Sequence, residues 1–129
     1  MTFKEKFGKE ILFFDGAMGT MLQKNGLKTG ELPENMNITH PDVLLKIHKE
    51  YLDAGCNVIT TNTFGANSLK FNNVEEIITS AVSLAKKSAE DYDRDTFVMY
   101  DQNLQTMLDE INAKYGYEVS SKEEGKDAA

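Results

Sequence analysis

Apolar residues along this chain fall into short runs that alternate with longer amphipathic stretches. Ile11–Asp15 is an apolar run that ends in a carboxylate, the pattern of a short buried strand. Residues 16–40 contain Gly26, Gly30 and Pro33 and hold no sustained period, so they are expected to form a long loop. A helix is predicted from Pro41, a residue suited to the first helical turn, with His40 or Thr39 as N-cap. Its apolar stripe is Val43, Leu44, Ile47, Tyr51 and Ala54, and Gly55 stands where a C-terminal cap is wanted. Cys56–Thr61 is the second strand. Asn73 followed by Glu76 resembles a capping box, and Val74, Ile77, Ile78, Ala81, Leu84 and Ala85 form the stripe of a second helix. Thr96–Tyr100 reads as a third strand ending at Asp101, and Leu104, Met107, Leu108, Ile111 and Tyr115 as a third helix closed by Gly116. Ser120–Ala129 has the composition of a solvated, disordered tail.

This order of strand and helix, repeated about three times, predicts an α/β fold with parallel strands. Right-handed crossovers then bring Asp15, Thr61 and Asp101 to one edge of the sheet. That edge is where α/β sheets and barrels bind ligands.

The two loops expected there have a readable chemistry. In the first, Asp15 ends the strand and is followed by Gly16, Gly19 and Thr20; a carboxylate so placed can hold a ligand ammonium, and glycine lets backbone N–H groups approach a ligand carboxylate or phosphate. In the second, Thr61, Asn62 and Thr63 offer hydrogen-bonding groups beside Phe64, which can supply an apolar wall. Together they suit a small zwitterion. The plainer alternative is that Gly16 and Gly19 shape a tight turn and Asp15 caps the backbone after it.

Composition narrows the class. With 40% hydrophobic and 27% charged residues the chain is an ordinary globular one, and its net charge of −7 lacks the basic footprint that nucleic acid or an anionic membrane requires. No segment approaches the roughly 20 apolar residues of a membrane span. Lys4, Lys6 and Lys9 lead into an apolar run too short for a signal peptide, so a cytoplasmic location is expected. One cysteine allows no internal disulfide.

Asp15-Gly16-Ala17-Met18-Gly19-Thr20, the stretch from Asn35 to Ile47, His48, Tyr51, Ala54-Gly55 and Thr61-Asn62-Thr63-Phe64-Gly65-Ala66-Asn67 resemble the opening of the homocysteine S-methyltransferase family. That family includes the homocysteine-binding N-terminal module of cobalamin-dependent methionine synthase. The resemblance runs from about Ile11 to Ala89 and then fades. It divides the chain into 1–90, the start of a homocysteine-binding barrel, 91–119, a diverged or foreign βα unit, and 120–129, the tail. It implies homocysteine as substrate, with Asp15 as ammonium partner, Gly16 as backbone donor to the carboxylate, and Thr61, Asn62, Thr63 and Phe64 lining the pocket.

The family fold is a (β/α)8 barrel of about 250 residues, so a chain of 129 residues is expected to form only the N-terminal portion and to leave it unclosed. Family members bind the substrate sulfur to zinc held by three cysteines from late strands, which creates a thiolate at neutral pH. Those ligands are absent here, so no catalytic or metal-binding residue is assigned and the chain alone is expected to be inactive. Cobalamin and methyltetrahydrofolate would enter through other domains, and a complementary chain would complete the barrel. The third strand also departs from the family's Ile-Gly-Pro type loop, reading Val98-Met99-Tyr100-Asp101-Gln102-Asn103.

Other residues have plainer readings. Cys56 is expected as a small buried residue at the strand end away from the loops, roughly 15–20 Å distant. His40 is expected as a cap, His48 as a helix-surface residue, and the methionines as core filling. A phosphate-handling enzyme built on Asp15 is disfavoured because the haloacid-dehalogenase pattern requires a second aspartate where Ala17 stands. The rival class is a non-enzymatic binding or structural remnant, or one subunit of a split barrel.

Overall fold

The computed structural model describes residues 2–100. The helices are α1 (Phe3–Lys6), α2 (Met18–Lys24), α3 (Met36–Thr39), α4 (Pro41–Asp53) and α5 (Val74–Ala89); the strands are β1 (Val58–Thr60) and β2 (Phe97–Met99). A 3₁₀ turn, Pro33–Asn35, leads directly into α3. The third helix expected from Leu104, the Asp101 strand end and the tail lie outside the described residues.

The sheet is parallel, with Val58 opposite Phe97, Ile59 opposite Val98 and Thr60 opposite Met99. The helix α5 makes the crossover between the two strands, as parallel neighbours require. The segment before α2 lies on the far side of β1, where Phe14 forms a parallel bridge to Val58. Val58 N donates to Phe13 O at 3.1 Å and Asp15 N to Val58 O at 3.0 Å. The five-residue strand expected at Ile11–Asp15 is therefore reduced to one bridge. Ile11 is 81% exposed, and Phe13 and Phe14 are also exposed, because no strand lies beyond them among the described residues. The fold is α/β and is not a closed barrel.

Both faces of β1 are covered. Ile59 packs with Leu52, Ala85 and Val98 beneath α4 and α5. Val58 packs on the other face with Phe97 and Phe3 of α1, whose ring meets that of Phe97 edge-on at 5.4 Å. The helix α1, which the apolar pattern does not reveal, is closed by a capping box between Thr2 and Glu5.

The helices carry the largest corrections. Residues 16–40 are not a long loop: α2, the 3₁₀ turn and α3 occupy much of them, since Leu22 and Met36 are buried against Leu44, Ile47 and Leu84. The buried face of α4 is Leu44, Ile47, His48 and Leu52, while Ala54 is exposed. His48 is thus a core residue and not a surface one, because α4 packs against α2, α3, α5 and β1 and its buried arc is wide. His40 occupies the N-cap position of α4 but makes no capping bond, and Pro41 begins the helix as expected. The glycine after α4, Gly55, adopts φ 109°, as a C-terminal cap needs. Asn73 stands at the N-cap of α5 without a side-chain bond, so the expected capping box does not form. No helix among the described residues is long and apolar enough to cross a membrane.

Candidate functional site

The C-terminal ends of the parallel segments deliver Asp15 and the residues after Thr60 to the same side of the sheet. Asp15 Oδ2 accepts the Thr60 N–H at 2.9 Å, and Asp15 Oδ1 accepts the Thr60 hydroxyl at 2.9 Å. The carboxylate thus completes hydrogen bonding at the end of β1. Each oxygen retains capacity to accept another donor. Burial pushes the Asp15 carboxyl above its ordinary pKa, opposed by the two hydrogen bonds from Thr60.

The loop after Asp15 rests on α4. The Tyr51 hydroxyl donates to Ala17 O at 2.9 Å. A Cβ at Gly16 would stand 3.0 Å from the same hydroxyl and 3.2 Å from the ring, so glycine allows this close approach. Burial raises the Tyr51 pKa, and the nearby Asp15 charge adds to it. Substituting Gly16→Ala is expected to displace the tyrosine and weaken its bond to Ala17, at a cost of about 1 kcal/mol. In a Tyr51→Phe background the same substitution should cost less, because the hydroxyl is gone. Denaturant melts of the four chains measure this coupling, and strict additivity would contradict the contact.

In the second loop three predicted site residues are buried and already engaged. Thr61 and Thr63 pair through their hydroxyls at 2.8 Å. The Asn62 amide donates to Pro33 O and to Asn37 Oδ1, both at 3.0 Å. Phe64 is different: it is 99% exposed and lines no wall among the described residues. The structure therefore joins Asp15 to the start of this loop through Thr60, while Gly16 packs against Tyr51.

Cys56 is buried, as expected, but it is not remote from the first loop. Its thiol donates to Phe14 O at 3.4 Å. Burial pushes the Cys56 thiol up, with the Asp15 charge adding to the rise and Arg94 opposing it. The parallel bridge at Phe14 brings the two together across the sheet. Among the described residues no group of three or more His, Cys, Asp or Glu side chains can hold a metal ion, so they do not fit the three-cysteine zinc set that the resemblance implies.

Thr60, Asn37 and Glu34, whose carboxylate accepts the Gly65 N–H at 3.4 Å, are the site neighbours that pattern reading misses. Asn37 lies within the run Asn-Met-Asn-Ile that carries part of the family resemblance, and that was the available signal. Thr60 had none beyond its place in the strand.

Parallel strands that present a carboxylate and a polar, threonine-rich loop at their C-terminal ends define an α/β ligand-binding scaffold. The family model for homocysteine S-methyltransferase matches residues 12–123, and the chain belongs to that family. It is 41% identical over 69 residues to a methionine synthase from Mycobacterium leprae and 42% identical over 65 residues to one from Mycobacterium tuberculosis. These matches cover 49% and 46% of the chain and 6% of each relative. Its fold is similar to that of the homocysteine methyltransferase MmuM from Escherichia coli. The metallated form gives a TM-score of 0.65 at 21% identity, with 74% of this chain and 39% of that one covered. The apo form gives 0.59 at 25% identity, with 73% and 36% covered. The chain thus spans only a small part of the methionine synthases and well under half of the solved enzyme.

Proposed function

We propose that this chain supplies the amino-acid-binding start of a homocysteine S-methyltransferase, the enzyme class that makes methionine by methyl transfer to the homocysteine thiolate. The observation that carries the reading is the Asp15 carboxylate, half-buried at the end of its strand and held in orientation by two bonds from Thr60, within a chain of this family. Asp15 binds the substrate ammonium, a Gly16 N–H binds its carboxylate, and Thr61, Asn62 and Thr63 line the site. The described units are the first of a (β/α)8 barrel. The chain's single cysteine cannot supply the three-cysteine set, so a thiolate-activating zinc would be held by the remainder of the barrel, and cobalamin or methyltetrahydrofolate, where used, belongs to other domains. A complementary polypeptide, acting in the cytoplasm with this one, completes the barrel. The described residues then bind and orient the amino-acid end of the substrate and perform no methyl transfer alone.

A second reading, a non-enzymatic binding or structural remnant, draws on the lack of any metal-holding cluster among the described residues. Calorimetry separates the two. The chain is expected to bind homocysteine and methionine weakly and alike, since no thiolate–metal bond contributes. Asp15→Asn keeps two hydrogen bonds to Thr60, with the hydroxyl's role reversed, but removes the charge. It should weaken binding about 10-fold or more, the scale of a charged hydrogen bond, while leaving the melt nearly unchanged. Binding of neither amino acid under any condition would favour the remnant. Stoichiometric zinc with zinc-dependent homocysteine selectivity would overturn the view that the chain is catalytically incomplete.

A further inference from the structure

The stretch from Asn35 to Ile47 carries much of the family resemblance, yet nothing in the ligand-binding role so far uses its polar residues. Asn37, on α3, is 2% exposed. Its side-chain amide donates to Asn62 O at 3.0 Å and to Ile77 O at 3.3 Å, while its carbonyl oxygen accepts from Asn62 Nδ2 at 3.0 Å. Asn62 Nδ2 also donates to Pro33 O at 3.0 Å. Two residues beyond Thr63, the Gly65 N–H reaches the buried carboxylate of Glu34 at 3.4 Å. A Cβ at Gly65 would stand 3.0 Å from that carboxylate, so a side chain there would push Glu34 back by a few tenths of an ångström.

The Thr61–Ala66 loop is therefore gripped at two points by one short segment, Pro33–Asn37. The Asn37–Asn62 pair of this grip is buried, and buried amides hold their partners firmly because a released donor or acceptor finds no water to replace them. Loop residues so held keep one conformation before a ligand arrives, and preorganisation of this kind raises affinity without any added contact.

We propose that Asn37 is a positioning residue for amino-acid binding: through its reciprocal amide pair with Asn62, assisted by Glu34 at Gly65, it sets the Thr61–Ala66 loop in its binding conformation without touching the ligand. The inference rests on the reading of that loop as part of the homocysteine site. When a loop spends only a fraction of its time in the competent conformation, the apparent affinity falls by that fraction.

The test uses the full chain and its Asn37→Asp variant, which keeps the acceptor but replaces both donated bonds with oxygen–oxygen repulsion. Hydrogen exchange and homocysteine calorimetry are measured together. The expected result is exchange at least about tenfold faster at Thr63, Gly65 and Ala66, with protection of Leu44–Leu52 in α4 unchanged, and homocysteine binding at least about tenfold weaker. A merely structural role would instead lower protection everywhere in step with the melt. Loop exchange that stays at the wild-type rate overturns the inference, as does a released loop that binds homocysteine as tightly as before. If the wild-type chain binds no homocysteine, the ligand-binding reading fails and this role of Asn37 fails with it. If Asn37→Asp does not fold, Glu34→Ala, which frees only the Gly65 end, takes its place with the same expected result at Gly65 and Ala66 and the same overturning ones.

Discussion

Acidification from pH 6.5 to pH 4 is expected to remove about 3 kcal/mol of folding stability through His48 alone. The imidazole is fully buried on the inner face of α4, and neither ring nitrogen has a hydrogen-bond partner among the described residues. Burial lowers its pKa from the ordinary 6.5 to about 4. The unfolded chain therefore takes up a proton across this window that the folded chain refuses. Stability is unaffected by this group well above pH 6.5, declines as the pH falls through that value, and reaches its full loss below about 4. Asp15 acts in the opposite sense, since its raised pKa favours the folded state once the carboxyl is protonated. Denaturant melts at a series of pH values measure the slope, and His48→Met should flatten it, because an apolar side chain of similar length takes up no proton. An unchanged slope in that variant would assign the acid sensitivity to other groups.

Ile59→Ala should cost about 2–5 kcal/mol. Ile59 is fully buried at the centre of β1, against Leu52, Ala85 and Val98, and its removal leaves a cavity where α4, α5 and both strands meet. Domains of this size are stable by only about 5–15 kcal/mol, so the loss is a large share of the whole. The strand also carries Thr60, which orients Asp15, and leads into the Thr61–Ala66 loop, so ligand binding should fall with it. Phe64→Ala is the control: the ring is exposed, and its loss should move stability by no more than about 0.5 kcal/mol. A loss below about 1 kcal/mol for Ile59→Ala would mean that β1 is not packed as described.

Much of the scaffold was legible from the apolar pattern because it depends on local rules. The helices from Pro41 and from Val74 follow helical spacing, Gly55 follows from the left-handed turn after a helix, and the strand around Ile59 follows from an apolar run bounded by polar residues. The pairing of Asp15 with the start of the second loop was expected in place but not in kind: its partner is the neighbouring Thr60, and whether a strand-end side chain reaches across the sheet depends on register. The short helices between residues 16 and 40 were missed because so few residues cannot sustain a helix on propensity, and their stability comes from packing Leu22 and Met36 on α4. The buried position of His48 was missed because periodicity marks the centre of a buried face but not its width.

Residue types at local spacing were enough to read the family and the α/β alternation, and right-handed crossovers then imply parallel strands with Asp15 and Thr61 at one edge. Tertiary structure alone decided that Asn37 and Glu34 grip that loop, that Tyr51 supports Gly16 and that His48 is held neutral in the core. These are contacts between segments far apart in the chain. Burial and hydrogen-bond satisfaction select them, and neither is set until the helices pack against the sheet.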